Sequence, residues 1–204
     1  MKTSARLLAA LACLPALALA QSSPPAAEAA SARGFNEVER GVFLGVQAGG
    51  FVLLNAPFSG PFSPGQSALV EAGYDFGERV SVSGFAMVTA NRAGADYLGK
   101  SAGLASGDYS AFVPGASVRV NAYGFADAQD VKRTWLYVRA GAGVALFSPR
   151  ALLPDPDVLL FAGPGVTYHT RLRHFSVGLE VTGTFLVASG SLGFAVTPNV
   201  RYAF

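Results

Sequence analysis

From residue 41 to the end of the chain, apolar and small or polar positions alternate with a period of two, and the pattern recurs eight times. The segments fall at about 41–54, 66–76, 80–90, 109–123, 134–147, 158–169, 175–187 and 192–204. The last is the clearest. Leu192, Phe194, Val196, Pro198, Val200, Tyr202 and Phe204 alternate with Gly193, Ala195, Thr197, Asn199, Arg201 and Ala203. A period of two places alternate side chains on opposite faces of a strand. The expectation is an all-β chain of eight strands, each with one apolar face. The segments are about 10–15 residues long, longer than the roughly 5–6 typical of soluble sheets. They match the roughly 9–11 residues that a tilted strand needs to cross a bilayer. No stretch after residue 20 approaches the roughly 18 consecutive apolar residues of a spanning helix. Strands in lipid must satisfy every backbone group, and only a closed barrel does so.

The residues before the first strand read differently. Lys2 and Arg6 precede an apolar stretch, Leu7 to Leu19, and Ala18-Leu19-Ala20 has the small-x-small form of a cleavage site. Residues 1–20 are therefore expected to be a secretory signal peptide. Residues 21–40, rich in Ala, Ser and Pro, are expected to be a flexible periplasmic lead-in, and 41–204 the barrel. Cys13, the single cysteine, lies within the signal; a lipoprotein reading of it lacks the usual large aliphatic residue three positions earlier. The mature chain would then offer no disulfide, thiol nucleophile or cysteine metal site. The charge balance changes too. Two of the 15 basic residues fall in 1–20, which has no acidic residue, leaving 13 basic against 13 acidic. No basic excess calls for nucleic acid.

On the inward faces the alternation places Glu71, Asp75, Arg119, Arg139, Glu180 and Arg201. An eight-stranded barrel is just wide enough for side chains to fill it, and charges there are expensive unless paired. These six are expected to form a salt-bridge network; the alternative is a narrow gated ion path. Inward glycines leave room for Phe43, Phe51, Phe85, Met87 and Phe147. Pro114, Pro164 and Pro198 occupy matching positions in three strands, which suggests a shared bulge or kink near a rim, since proline withdraws a ladder donor.

Catalytic and ligand-binding sets are sparse. His169 and His174 sit at or near one turn, beside Arg171 and Arg173, where a solvated or headgroup-facing role is the simpler reading. Asp155 and Asp157 are spaced like the opening of a calcium loop, but no later ligands follow. Neither a metal nor another cofactor is expected. The connection 55–65 carries Phe58 and Phe62 in a proline frame, and 148–157 carries Leu152 and Leu153. Exposed apolar residues of this kind mark either a partner site or an interfacial girdle.

The alternation, the signal-like start and the terminal Tyr202-x-Phe204 together resemble the small bacterial outer-membrane β-barrels of the OmpA, OmpX and OmpW kind. That resemblance implies an eight-stranded antiparallel transmembrane barrel in the cell outer membrane, in contact with its lipid. It implies long loops outside and short turns in the periplasm; here the connection 124–133 is long for such a turn. It also implies that the barrel-assembly machinery reads Tyr202 and Phe204. Some relatives of this size are lipid hydrolases or acyltransferases using His and Ser at the outer leaflet; both histidines here fall on the other side. The segments Gly34-Phe-Asn-Glu-Val-Glu-Arg-Gly-Val-Phe-Leu-Gly and Tyr168-His-Thr-Arg-Leu-Arg-His-Phe-Ser-Val-Gly-Leu-Glu further resemble outer-membrane barrels of adventurous gliding motility. The expected function is a non-enzymatic structural and interaction component of a cell-surface assembly, in motility or adhesion, with protein partners. A narrow solute conduit is the second expectation and a lipid-modifying enzyme the third.

Overall fold

The computed structural model describes residues 38, 40–54, 63–92, 108–128, 130–148, 150, 153, 155–172 and 174–204. The expected signal and most of the expected lead-in, 1–37 and 39, lie outside them, as does most of the weakly patterned stretch, 93–107. Eight strands follow one another: β1 Val42–Leu53, β2 Ser63–Phe76, β3 Val80–Arg92, β4 Asp108–Ala126, β5 Lys132–Ser148, β6 Asp157–His169, β7 Phe175–Leu186 and β8 Ser191–Ala203. Each pairs antiparallel with its sequence neighbours, and β8 pairs back to β1, closing a barrel. Closure removes the two edges that an open sheet would expose. Among the described residues no helix is long and apolar enough to cross a membrane.

The alternation of the sequence becomes two surfaces. Leu44, Val70, Val88, Phe112, Val138, Leu160, Leu179 and Phe194 stand exposed on the outside, and Phe43, Phe85, Val113, Tyr137 and Thr184 are buried inside. Turns 77–79, 127–131 and 170–174 lie at the end where β1 begins and β8 finishes, here the terminal end. The opposite, loop end is where β1 finishes and β2 begins, and likewise β3 and β4, β5 and β6, and β7 and β8.

Half of the long connection expected at 124–133 is strand. β4 continues to Ala126 and β5 starts at Lys132, so the turn is only 127–131. The β4–β5 register shifts between Asn121 and Tyr123 and again between Phe125 and Ala126, which lets the hairpin run past its neighbours. Asp127 fastens the tip. Its carboxylate accepts from Val131 N at 3.1 Å and from Arg133 Nε at 2.7 Å. Arg133 Nη1 in turn donates to Thr170 O of the next turn at 3.3 Å.

The three prolines correct another expectation. They sit in mid-strand rather than at a rim, and without a bulge. Pro114, Pro164 and Pro198 keep their partners on one side, Ala86, Val138 and Leu179. On the other side the ladder lapses for two residues and resumes in unchanged register, as from Ala162↔Gly183 to Gly165↔Glu180. The missing donor is thus accommodated by a gap. Glycine lies within two of these gaps and flanks the third. A Cβ at Gly49 would meet Val196 O at 2.0 Å, and one at Gly163 would meet Val181 O at 1.9 Å. Backbones approach there too closely for any side chain, as at the tight bends of a small barrel.

Candidate functional site

The six inward charges and two rims are the places where this fold could do chemistry or meet a partner. Glu71 on β2, Arg139 on β5 and Glu180 on β7 converge across the terminal half of the lumen. Arg139, with its side chain 3% exposed, pairs with Glu71 at 3.1 Å and with Glu180 at 3.4 Å. Its Nε donates to Ser117 Oγ at 3.1 Å. Ser117 and Ser83 share a hydrogen bond of 2.8 Å, and Ser83 Oγ donates to Glu71 at 3.2 Å. Tyr137 OH donates to the second Glu180 oxygen at 3.0 Å and accepts from Asn199 Nδ2 at 3.4 Å. Charges this deep persist because each is paired and bonded on several sides; one left alone would be costly.

Nearer the terminal end, Arg201 pairs with Asp75, which also accepts from Ser81 Oγ at 2.5 Å. The Arg201 guanidinium lies 3.3 Å over the Phe43 ring. Arg119 takes a different course. Its Nε donates to Asn121 Oδ1 at 3.1 Å and its guanidinium stacks 3.7 Å over the Tyr137 ring. Five of the six charges therefore meet in ion pairs, and Arg119 joins them through an aromatic face. Tyr137, Ser117 and Asn199 complete the network. The period-two pattern puts Tyr137 and Ser117 on the inward faces without giving them a role; the signal in the sequence is a phenol two residues from Arg139 on the same strand face.

The loop half of the lumen is built round an apolar cluster, with Ser67, Thr89, Asn91 and Thr184 buried beside it. Phe51, Leu53, Leu69, Phe85, Val113, Phe147, Leu159 and Leu186 form one buried cluster, with Met87 and Phe161 packed against it. Phe85 and Phe161 meet edge to face at 5.5 Å, and Arg139 lies 5.2 Å over Phe161 where the two layers touch. Voids of about 10 Å³ and 30 Å³ remain within the polar layer and at its junction with the apolar one. Space of this size holds about one water.

The rims hold the remaining candidates. Phe58, Phe62 and Leu152 lie outside the described residues. Leu153 is 3% exposed and belongs to the apolar cluster, so it plugs the barrel mouth and presents no loop surface. Asp155 and Asp157 do not act together. Asp155 pairs with Arg150 at 3.0 Å. Asp157, buried, accepts from Ala188 N at 2.7 Å and Ser189 N at 3.0 Å, clamping the β7–β8 turn. His169 ends β6, half buried. His174 stacks on Tyr202 at 5.1 Å and bonds to Ala203 O through Nδ1 at 2.7 Å.

Tyr202 also meets Phe175 edge to face at 5.0 Å, and Phe204 at 4.9 Å. Phe204 N donates to Val42 O at 2.9 Å, while its ring stays 61% exposed. The same Tyr-x-Phe pair occurs near the terminal ends of β2 and β4. Tyr74 and Phe76 lie 5.0 Å apart, Tyr123 and Phe125 4.9 Å, both edge to face. Sequence reasoning treated only the last pair as a signal; its recurrence in two other strands was legible and was missed.

No protein-family model matches the chain. No curated protein matches it either. Solved structures do. The chain is similar to Neisserial surface protein A, at a TM-score of 0.61 and 14% identity over 82% of this chain and 100% of that one. It is also similar to Ail, the attachment invasion locus protein of Yersinia pestis, solved with the heparin analogue sucrose octasulfate. There the TM-score is 0.50 at 14% identity, over 82% of this chain and 100% of Ail. The chain has the fold of the small eight-stranded outer-membrane barrels.

Proposed function

We propose that this protein is a non-enzymatic barrel of the Gram-negative outer membrane that serves as a structural and interaction component of a cell-surface assembly. The observation that carries the reading is a lipid-compatible outer face around a filled lumen. The outside is a belt of exposed Val, Leu and Phe, which in water would be an aggregation surface and in a bilayer is a solvated one. The inside is charge-paired in one half and built round an apolar cluster in the other, with voids of about 10 and 30 Å³ between them. On this reading the lumen neither holds a substrate nor conducts ions. The working surfaces are then the loops and the rims. Neisserial surface protein A is by its name a surface protein, and Ail by its name serves attachment and invasion; both agree with a role in adhesion. A role in gliding motility rests on the sequence resemblance alone.

On this reading residues 1–20 are removed on export, and Tyr202 and Phe204 present the finished chain to the barrel-assembly machinery. Two measurements test it. Planar bilayers containing the purified barrel should show no steady single-channel steps, and reproducible conductance would replace the reading with the conduit. Cross-linking in intact outer membranes, followed by purification of the tagged chain, should return a defined surface protein in stoichiometric amount. A chain recovered alone would count against an assembly component.

A further inference from the structure

Among the described residues, each of the three terminal-end hairpins carries an exposed cation in or beside its turn, and these three share a property. Arg79 follows Phe76 in the β2–β3 turn, Arg171 follows Tyr168 in the β6–β7 turn, and Lys132 begins β5 across the hairpin from Phe125. None of the three forms an ion pair among the described residues. The neighbouring carboxylates are already engaged: Glu78 with Arg40 at 3.3 Å and Asp127 with Arg133 at 2.7 Å. Asp130, exposed at the hairpin tip, is the one described acid of the terminal-end turns without such a pair. Lys132 Nζ lies 5.8 Å over the Trp135 ring and is otherwise exposed. At the opposite end, Arg150 is paired with Asp155, and Arg92 is engaged as well.

The surroundings indicate what such cations meet. Directly above them, on the outward face, runs the aromatic band of Tyr74, Phe76, Tyr123, Phe125, Tyr168 and Phe204. Aromatic rings of this kind mark the level of the lipid headgroups. Leu172, next to Arg171, is 70% exposed at the same level. Cations one turn beyond an aromatic band stand at phosphate depth, where a basic residue gains about 1 kcal/mol from an anionic leaflet.

We infer that Arg79, Lys132 and Arg171 form a ring that selects anionic phospholipid headgroups in the leaflet at the terminal end. The inference rests on the membrane-barrel reading above. Positive charge on three separate turns would hold the barrel's depth and tilt as well as recruit the lipid. An acidic soluble protein is the competing occupant, and the apolar Leu172 among the cations favours lipid.

The test uses the full-length mature chain, folded in vesicles of phosphatidylcholine alone and then examined by native mass spectrometry in detergent with equimolar phosphatidylglycerol and phosphatidylcholine. The wild type should retain phosphatidylglycerol in preference, and R79Q/K132Q/R171Q should lose about fivefold of that preference for each cation removed. R150Q, at the loop end, should leave it unchanged. Heat-shifted gel migration shows that each variant is folded. Equal retention by the triple variant and wild type overturns the inference while the barrel reading stands. A chain that never inserts into phosphatidylcholine vesicles overturns both. Loss of poly-glutamate binding in the triple variant with phosphatidylglycerol retention unaltered would assign the ring to an acidic protein instead.

Discussion

The two halves of the lumen solve one problem by opposite means. At the loop end Phe51, Leu53, Phe147, Leu159 and Leu186 fill the barrel by packing. At the terminal end the space is filled by Arg139, its two carboxylates and a fringe of hydroxyls. The apolar half is tolerant, because any side chain of similar volume keeps most of its contacts. The polar half is specific, because each member is stabilised only by the others. Neither half alone explains a closed barrel. The apolar cluster packs the loop half of the lumen, and the charge network ties β2, β5 and β7 together across it.

The comparison breaks most visibly at Arg139. Arg139→Ala leaves Glu71 and Glu180 buried without a cation and should cost about 3–5 kcal/mol, read as a lower urea midpoint for the folded barrel in detergent or vesicles. Adding Glu71→Gln and Glu180→Gln to Arg139→Met should recover most of that loss, since a neutral, bonded layer no longer carries stranded charge. If the triple variant is as unstable as Arg139→Ala, packing rather than charge governs this half.

In the apolar half Leu159→Ala should cost about 2–4 kcal/mol through lost burial and a residual cavity. Leu159→Met should cost less than about 1.5 kcal/mol. Arg201→Gln stands between the two regimes. It removes the pairing with Asp75 and the cation over Phe43 but leaves Ser81 on the carboxylate, so about 1–3 kcal/mol is expected. The smallest effect belongs to the rim. Glu78→Gln breaks an exposed pair with Arg40 and should shift stability by under about 1 kcal/mol, and by less still in high salt. The same urea titrations in low and high salt rank all four positions. A rim variant as costly as a lumen variant would erase the distinction.

At the chain end, Phe204→Asp should lower the amount of barrel assembled in outer membranes, measured by quantitative blotting of membrane fractions. Phe76→Asp, in an equivalent Tyr-x-Phe pair, separates the alternatives. A loss at Phe204 alone would identify a terminal signal, whereas equal losses would identify an aromatic band.

The fold was legible because barrel strands obey one local rule. Outward and inward positions alternate from Val42 and Phe43 to Tyr202 and Ala203 without help from distant residues. The eight strands therefore fall within a few residues of their expected bounds, and the six charges could be placed on one face. The failures have one character. The connection 124–133 looked like a loop because its Gly124, Ala126 and Ala128 are small, yet the hairpin is held by Asp127 and Arg133. Leu153 looked like exposed loop surface because no period covers it, yet it folds down over the apolar cluster. The prolines looked like rim markers because mid-strand proline is disfavoured in isolation. The sheet instead relinquishes two ladder positions on one side of each.

By itself the sequence determined which side of each strand meets lipid-like surroundings and which meets the lumen, because period two is a property of the extended backbone. It determined equally that Glu71, Asp75, Glu180, Arg119, Arg139 and Arg201 lie on the inner faces. Only the tertiary structure decided the partners: Arg139 takes two carboxylates from strands that are not its neighbours, Arg201 takes Asp75 across the barrel closure, and Arg119 takes an aromatic face. Those choices depend on shear and closure, which set the height of each strand against the next and appear nowhere in the local pattern.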